Sequence, residues 1–241
     1  MKLLVLVAHP DDEVIMCGAT IAKLVTKGHK VFVTYYTQNN QAFFRKETPS
    51  MRVKRAIKEA TNSSKFLGYS INFLKFMDME VEKDKGLLIQ ETIKEIRRVK
   101  PDIIVTHHAT DKHIDHRTLG EIVPEANFQS ACNLCGGDQT WRANTVLQGE
   151  IDLEMTNAFN FQVVSAITSN EVKRKINSFK YYESVKNEHK TESDWLNKKI
   201  NYVAELRGKA VGLQFGEAFI INNYQPLDYT SIKSITTVIN P

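Results

Sequence analysis

Cysteine is scarce in this 241-residue chain: Cys17, Cys132 and Cys135 are the whole supply. An odd and small count excludes a disulfide framework and points to a reducing compartment. Long apolar runs are also missing. Lys2 to Ala8 is broken at once by His9, Pro10 and three acids, too short for a secretory signal, and nothing approaches the ~20 apolar residues of a membrane helix. A cytoplasmic protein without a transmembrane segment is expected. Positive charge is in slight excess, with a formal net charge of +4 and no dense Lys/Arg run, which speaks against nucleic acid as a partner. No Pro/Gly/Ser-rich linker or internal repeat divides the chain. One domain over 1–241 is expected, with a core over 1–130 and an extension over 131–241 that completes a substrate pocket.

What is present is a rhythm of strands and helices. Lys2 to Ala8 suits a strand buried on both faces. Val14, Cys17, Ile21, Leu24 and Val25 recur at helical spacing, with Gly28 at the expected C-terminal cap. Val31 to Thr37 reads as a second strand, and Met51, Ala56, Ile57 and Ala60 as a helix ending near Gly68. Ile71 to Phe76 reads as a third strand. Ile89, Ile93 and Ile96 mark a helix stopped by Pro101, before a fourth strand at Ile103 to Thr106. This order implies an α/β, Rossmann-like fold: a mostly parallel sheet flanked by helices, followed by a C-terminal α+β extension. In that extension the patterns predict strands near Thr145 to Leu153 and Phe161 to Ile167, and helices near Asn170 to Tyr182 and Ser193 to Lys209. The G-x-G-x-x-G turn of a dinucleotide site is absent after strand one.

Two turns carry chemistry. Ala8-His9-Pro10-Asp11-Asp12-Glu13 follows the first strand, at the sheet edge where open parallel sheets bind ligands. An imidazole and a carboxylate three positions apart can turn toward one ion, a donor pair suited to zinc. Acids at a helix start also serve as caps, so this turn alone has a structural reading of similar weight. The second turn follows the fourth strand, His107-His108-Ala109-Thr110-Asp111-Lys112-His113-Ile114-Asp115-His116, and holds four of the seven histidines. Both turns leave the same edge of the same sheet, so their convergence is a geometric prediction.

Together the A-H-P-D-D-E turn and the later H-x-D-H resemble the PIG-L or LmbE-like zinc-dependent de-N-acetylases. The resemblance implies metal ligands at His9, Asp12 and His116, a general base at Asp11, and a protonated His113 that steadies the oxyanion. It also implies that Asp115 orients His113. The cofactor implied is Zn2+, one ion per chain, and the substrate is a small amino sugar or its conjugate that loses an N-acyl, chiefly N-acetyl, group. A homo-oligomer stays open. Glu150 and Glu217-Ala-Phe219 look like further landmarks. Thr37-Gln38-Asn39-Asn40, where the family often has Thr-Gly, and Glu183-Ser184-Val185, where it often has Ser-Gln, are departures on the substrate side.

Arg52, Arg55 and Asp78 are the substrate-binding candidates, against a plain reading in which Arg55 pairs with Glu59 one helical turn on. Cys132 and Cys135 have C-x-x-C spacing but no second pair, so two ordinary thiols in a helix-end loop are expected. Trp141 and Trp195 read as core or pocket wall. Rival readings are a hydrolase of another amide or ester, an idle sugar-binding relative, and a magnesium-binding receiver module. The last leaves the H-x-D-H turn without a role and puts a soft imidazole where magnesium prefers oxygen. Elemental analysis should find close to one zinc per chain and its loss in both His9→Ala and His116→Ala; metal retained in either variant would remove that residue from the ligand set.

Overall fold

The computed structural model describes residues 1–41, 47–136, 139–154, 156, 159–183, 195–224 and 226–240. In chain order these form β1 (Lys2–Val7), α1 (Asp12–Thr26), β2 (Lys30–Tyr35), α2 (Pro49–Leu67), β3 (Ser70–Phe73), a 3-10 turn (Val81–Asp84), α3 (Lys85–Val99), β4 (Ile103–His107), α4 (Ile114–Gln129), β5 (Thr145–Gly149), β6 (Val163–Ile167), α5 (Ser169–Phe179), α6 (Trp195–Lys209), β7 (Phe215–Ile221) and α7 (Tyr229–Ile239). The strands make one sheet of order β3-β2-β1-β4-β5-β7-β6. Its first five members are parallel, and β7 lies antiparallel between β5 and β6. The α/β architecture therefore stands, and the C-terminal residues extend the same sheet.

β1 and β4 are buried along almost their full length, as unbroken apolar runs require. Leu3, Val5 and Val7 face one apolar cluster with Ile21, Leu24 and Tyr35, while Leu4 and Leu6 face another with Ile96, Leu119 and Ile122. Alternation along a single strand thus feeds both helical layers. The helix ends follow local chemistry. Gly28 and Gly68 take positive φ after α1 and α2, at 78° and 92°, and the side chain of Thr48 accepts from the Met51 N–H to cap α2.

β7 and α7 have no counterpart among the elements that the sequence pattern predicts. The apolar run Phe215–Ile221 is interrupted by Gly216 and Glu217, and its pairing partners are distant in sequence. Two strands of the C-terminal half end earlier than expected, at Gly149, or begin later, at Val163. The expected helix start at Ser193 lies outside the described residues, as do Ser184 and Val185.

Helix α1 is kinked at Cys17, where φ is −144° and ψ 25°. The kink frees the N–H groups of Ala19 and Thr20, and the Glu217 carboxylate accepts both, at 3.1 and 2.7 Å. Lys175 completes the arrangement by donating to Glu217 at 2.8 Å. Glu217 therefore has a structural job: it caps the second half of α1 from inside the sheet.

The contact that matters most for the site is at Gly120 on α4. A Cβ there would stand 2.6–2.8 Å from backbone atoms of His108 and Ala109. Only a bare Cα lets α4 approach the loop that carries the histidines. Gly120→Ala should destabilise the protein by about 1–3 kcal/mol through overpacking against backbone, read from urea unfolding, and should lower metal retention; unchanged stability would show that the loop yields freely.

Candidate metal centre and active site

β1 and β4 pair in parallel register, Leu6 opposite Thr106, so the turns that follow them leave the sheet side by side. The Ala8 N–H donates to His107 Nε2 at 3.0 Å and ties the two strand ends together. The result is the predicted convergence. His9 Nδ1 lies 3.1 Å from His116 Nε2, and both lie 3.4 Å from Asp12 Oδ2. Three tetrahedral ligands at ordinary zinc distances sit about 3.3 Å apart, so the triangle has the size that one ion of this kind needs. A second set, Asp12, His107 and His116, is also close enough to share a cation, as are His9, His113 and His116.

The outer nitrogens of the two facing imidazoles are each held by a carboxylate. His116 Nδ1 is 3.2 Å from Asp111 Oδ1, and His9 Nε2 is 3.1 Å from Asp115 Oδ2. Such a partner fixes ring orientation and tautomer and strengthens imidazole as a ligand. Asp111 is itself anchored by the His113 N–H at 2.8 Å and the Thr156 hydroxyl at 3.2 Å, and Asp115 accepts from the Met79 N–H at 2.8 Å. The donor set, its spacing and its carboxylate backing fit zinc.

A sequence model of the PIG-L family, GlcNAc-PI de-N-acetylase, matches residues 4–127, just over half of the chain. The chain belongs to the PIG-L family. Its fold is similar to that of N,N'-diacetylchitobiose deacetylase from Pyrococcus horikoshii, at 20% identity and TM-score 0.80, covering 96% of this chain and 88% of the other. It is also similar to the zinc-inhibited form of a teicoplanin deacetylase, at 16% identity and TM-score 0.70, covering 93% and 100%. A third similar structure is 4-carboxy-2-hydroxymuconate hydratase from Pseudomonas putida, at 18% identity and TM-score 0.78, covering 94% and 98%. A hydratase on the same fold means that the reaction has to be argued from the site.

One placement in this PIG-L chain differs from expectation. Asp115 points its carboxylate at His9, and what reaches His113 is the Asp115 backbone, whose N–H donates to His113 Nδ1 at 3.2 Å. His113 is the N-cap of α4, a local geometry that turns Asp115 away from its ring. His107, one of the four histidines in the turn after the fourth strand, is a fully buried strut that stacks on His116 with ring centroids 4.0 Å apart. Asp111 received no role from sequence; a carboxylate five residues before a ligand has no periodic signature.

The remaining candidates separate in the same way. Arg55 makes a two-point pair with Glu47 at 3.0 and 2.8 Å, and Glu59 is a more distant partner at 3.9 Å. Arg52 donates to the carbonyls of Asn40 and Glu47. Asp78 is buried, accepts the Gln41 N–H at 2.8 Å through Oδ2, and has no hydrogen-bond partner at Oδ1 among the described residues. Asn39 and Asn40, on the departing turn after β2, donate to the Pro10 carbonyl and accept from the Asp78 N–H respectively. Glu150 is paired at two points with Arg207. Trp195, which lines a cleft of about 140 Å³ beside α1, is a wall residue; Trp141 lies at the surface, more than a third exposed. Cys132 and Cys135 are free and exposed in the loop after α4, which Arg97 holds through the carbonyls of Ser130, Cys132, Leu134 and Gly136.

Electrostatics sort the titratable groups. Burial, then the His116 and His9 charges, bring His113 down to about 4, and burial with His116 brings His107 to about 4 as well. Burial opposes the charged form of His9, yet Asp115 and Asp12 push it up to about 10. Burial works against the Asp12 carboxylate too, but His116 and His107 hold it well below the usual range. Asp11 goes the other way: burial, then Asp12 and Glu13, raise it well above an ordinary carboxyl.

These shifts set the pH dependence of the metal-free protein. His107 and His113 bind fewer protons folded than unfolded between pH 4 and 6.5, so their contribution is present above 6.5 and is lost as pH falls. His9 contributes fully below 6.5 and loses that contribution as pH rises through about 10. Chelator-treated protein should therefore show greatest unfolding stability near pH 6.5 in urea titrations from pH 4 to 10; a monotonic profile across that window would contradict these assignments.

Proposed function

We propose that this chain is a zinc-dependent hydrolase that removes an N-acyl group, chiefly N-acetyl, from an amino sugar or an amino-sugar conjugate. The observation that carries the reading is the His9–Asp12–His116 triangle with a carboxylate behind each imidazole. We read 1–241 as one catalytic unit working in the cytoplasm.

When bound, zinc supplies a Lewis acid that makes water a nucleophile near neutral pH and polarises a carbonyl. The protein's own groups handle the protons. Asp11 stands at the start of α1 with its carboxyl making no helix-cap hydrogen bond, so it is available to accept a proton from the attacking water and to return it to the departing amine. Burial and the Asp12 and Glu13 charges raise its pKa above the ordinary carboxyl range, which makes it a stronger base toward that proton; a cation at Asp12 would draw it partly back. His113 acts as a neutral donor, in place of the imidazolium expected from the resemblance. Its Nδ1 accepts from the Asp115 N–H, which leaves the proton on Nε2 for the developing oxyanion. The N-terminal ends of α1 and α4, from which Asp12 and His113 project, add positive potential at the same place.

Asp78 is the favoured contact to a sugar hydroxyl, since its buried Oδ1 has no hydrogen-bond partner among the described residues and its charge reaches His9. Arg52 and Arg55 are also retained as substrate contacts, with Arg55 the weaker because Glu47 already holds it at two points.

Asp11→Asn should keep metal content near wild type and reduce acetate release from N-acetylglucosaminides by a factor on the order of 10²–10⁴, the scale of general acid–base catalysis. Undiminished turnover in the variant would remove Asp11 from the role. A metal-loaded wild type that frees no acetate from the panel, while cleaving other amides or esters, would favour the broader hydrolase reading.

A further inference from the structure

Behind the turn that carries Asp11 lies a carboxylate for which the proposed chemistry has no use. Glu13 is fully buried in the first turn of α1. Its Oε1 accepts from the hydroxyls of Tyr69 and Tyr182, at 2.7 and 2.6 Å, and its Oε2 accepts from the Asp11 N–H at 3.1 Å. The Tyr69 hydroxyl is in turn 3.0 Å from Ser63 Oγ, which is 2.7 Å from Ser178 Oγ. The chain of contacts thus runs from α1 to α2 and α5. Burying a carboxylate is costly unless its lone pairs are met, and these are met by donors from three separate segments.

Asp11 needs such support. Its backbone sits at φ 119°, ψ −29°, a conformation that side chains with a Cβ rarely adopt and that persists only where the surroundings impose it. Its carbonyl is taken by the N–H groups of Val14 and Ile15, at 3.0 and 3.1 Å, while its own N–H goes to Glu13. The strained backbone is what leaves the Asp11 side chain off the helix end. A residue in ordinary N-cap geometry turns its side chain back onto the first helical N–H groups.

We infer that Glu13, seated on Tyr69 and Tyr182, is a positioning residue that holds the Asp11 backbone in its strained form and so aims the Asp11 carboxyl at the reacting amide. The aim toward an amide rests on the deacetylase reading; the backbone clamp does not. Two neutral donors on Oε1 fix the carboxylate plane, and Oε2 is then directed at the Asp11 N–H. Burial and the Glu13 charge push both phenols well above their usual range, so they remain donors throughout the working pH window.

The test uses Glu13→Ala, Glu13→Gln, Tyr69→Phe and Tyr182→Phe in the full, metal-loaded chain. Glu13→Ala should lower kcat by about 10–100-fold, the cost of a misplaced reacting group, with KM and metal content within threefold of wild type. Glu13→Gln should restore most of kcat, because its amide oxygen can still accept from Asp11 while the tyrosine hydroxyls rotate to accept from its NH₂. The three-bond HN–Hα coupling of Asp11, which reports φ, should shift in Glu13→Ala and return in Glu13→Gln. An unchanged coupling in folded Glu13→Ala, or a kcat loss matched by loss of metal, overturns the inference. Should Glu13→Ala not fold, the two phenylalanine variants decide: a severalfold fall in kcat at constant KM supports the clamp, and unchanged kcat in both overturns it. The coupling needs no substrate, so a wild type inactive on every acetylated sugar defeats the deacetylase reading and leaves the clamp to the NMR result.

Discussion

Parallel pairing of β1 with β4 is the constraint from which the site follows. Strands that run side by side in one direction end at the same sheet edge, and the register Leu6 to Thr106 brings the two turns level. The Ala8 N–H donating to His107 closes the gap between them. The candidate metal and proton-transfer groups project from these two turns: His9, Asp11 and Asp12 from one, His113 and His116 from the other. A slip of one residue in this pairing would send His107 to the opposite face and separate the imidazoles. The apolar runs on both strands, buried in two layers, make such a slip expensive.

The crowding at the junction is itself informative. Four imidazoles and the Asp12 carboxylate meet within a few ångströms inside the protein, and burial alone would favour neutral groups there. The arrangement keeps Asp12 strongly ionised and divides the histidines into two kinds. His9 and His116, each backed by a carboxylate, are drawn toward the charged form, while His107 and His113 are held neutral. The neighbouring carboxylates of Asp12, Asp111 and Asp115 draw His9 and His116 toward the charged form, whereas burial and the His116 charge keep His107 and His113 neutral. The same division explains why His113 fits a neutral hydrogen-bonding role better than a charged one.

Legibility in the sequence varied with how local the signal was. Four parallel strands and the helices between them could be read from apolar runs and periodic stripes, because each run is buried by its own neighbours in the chain, whereas β5 was legible as a strand but assigned to the extension. β7 and α7 could not, since β7 is a strand only by virtue of lying between β5 and β6, and Glu217 in its middle looks polar until Ala19 and Thr20 are seen to need an acceptor. At the site, His9, Asp12 and His116 were legible from motif and edge placement. The backing carboxylates were not: Asp115 was matched to the wrong histidine and Asp111 to none.

By itself the sequence determined the alternation of strands and helices in the parallel half, the residue types available to bind a metal, and the two turns that would carry them. It did so because strands, stripes and turns are short-range consequences of side-chain pattern. Tertiary structure alone decided which oxygen faces which ring, which arginine is already engaged, and how the Asp11 backbone is held. Those choices depend on groups far apart in the chain, such as Glu13 with Tyr182 or Asp111 with Thr156, whose meeting has no local signature because it is set by how the helices settle on the sheet.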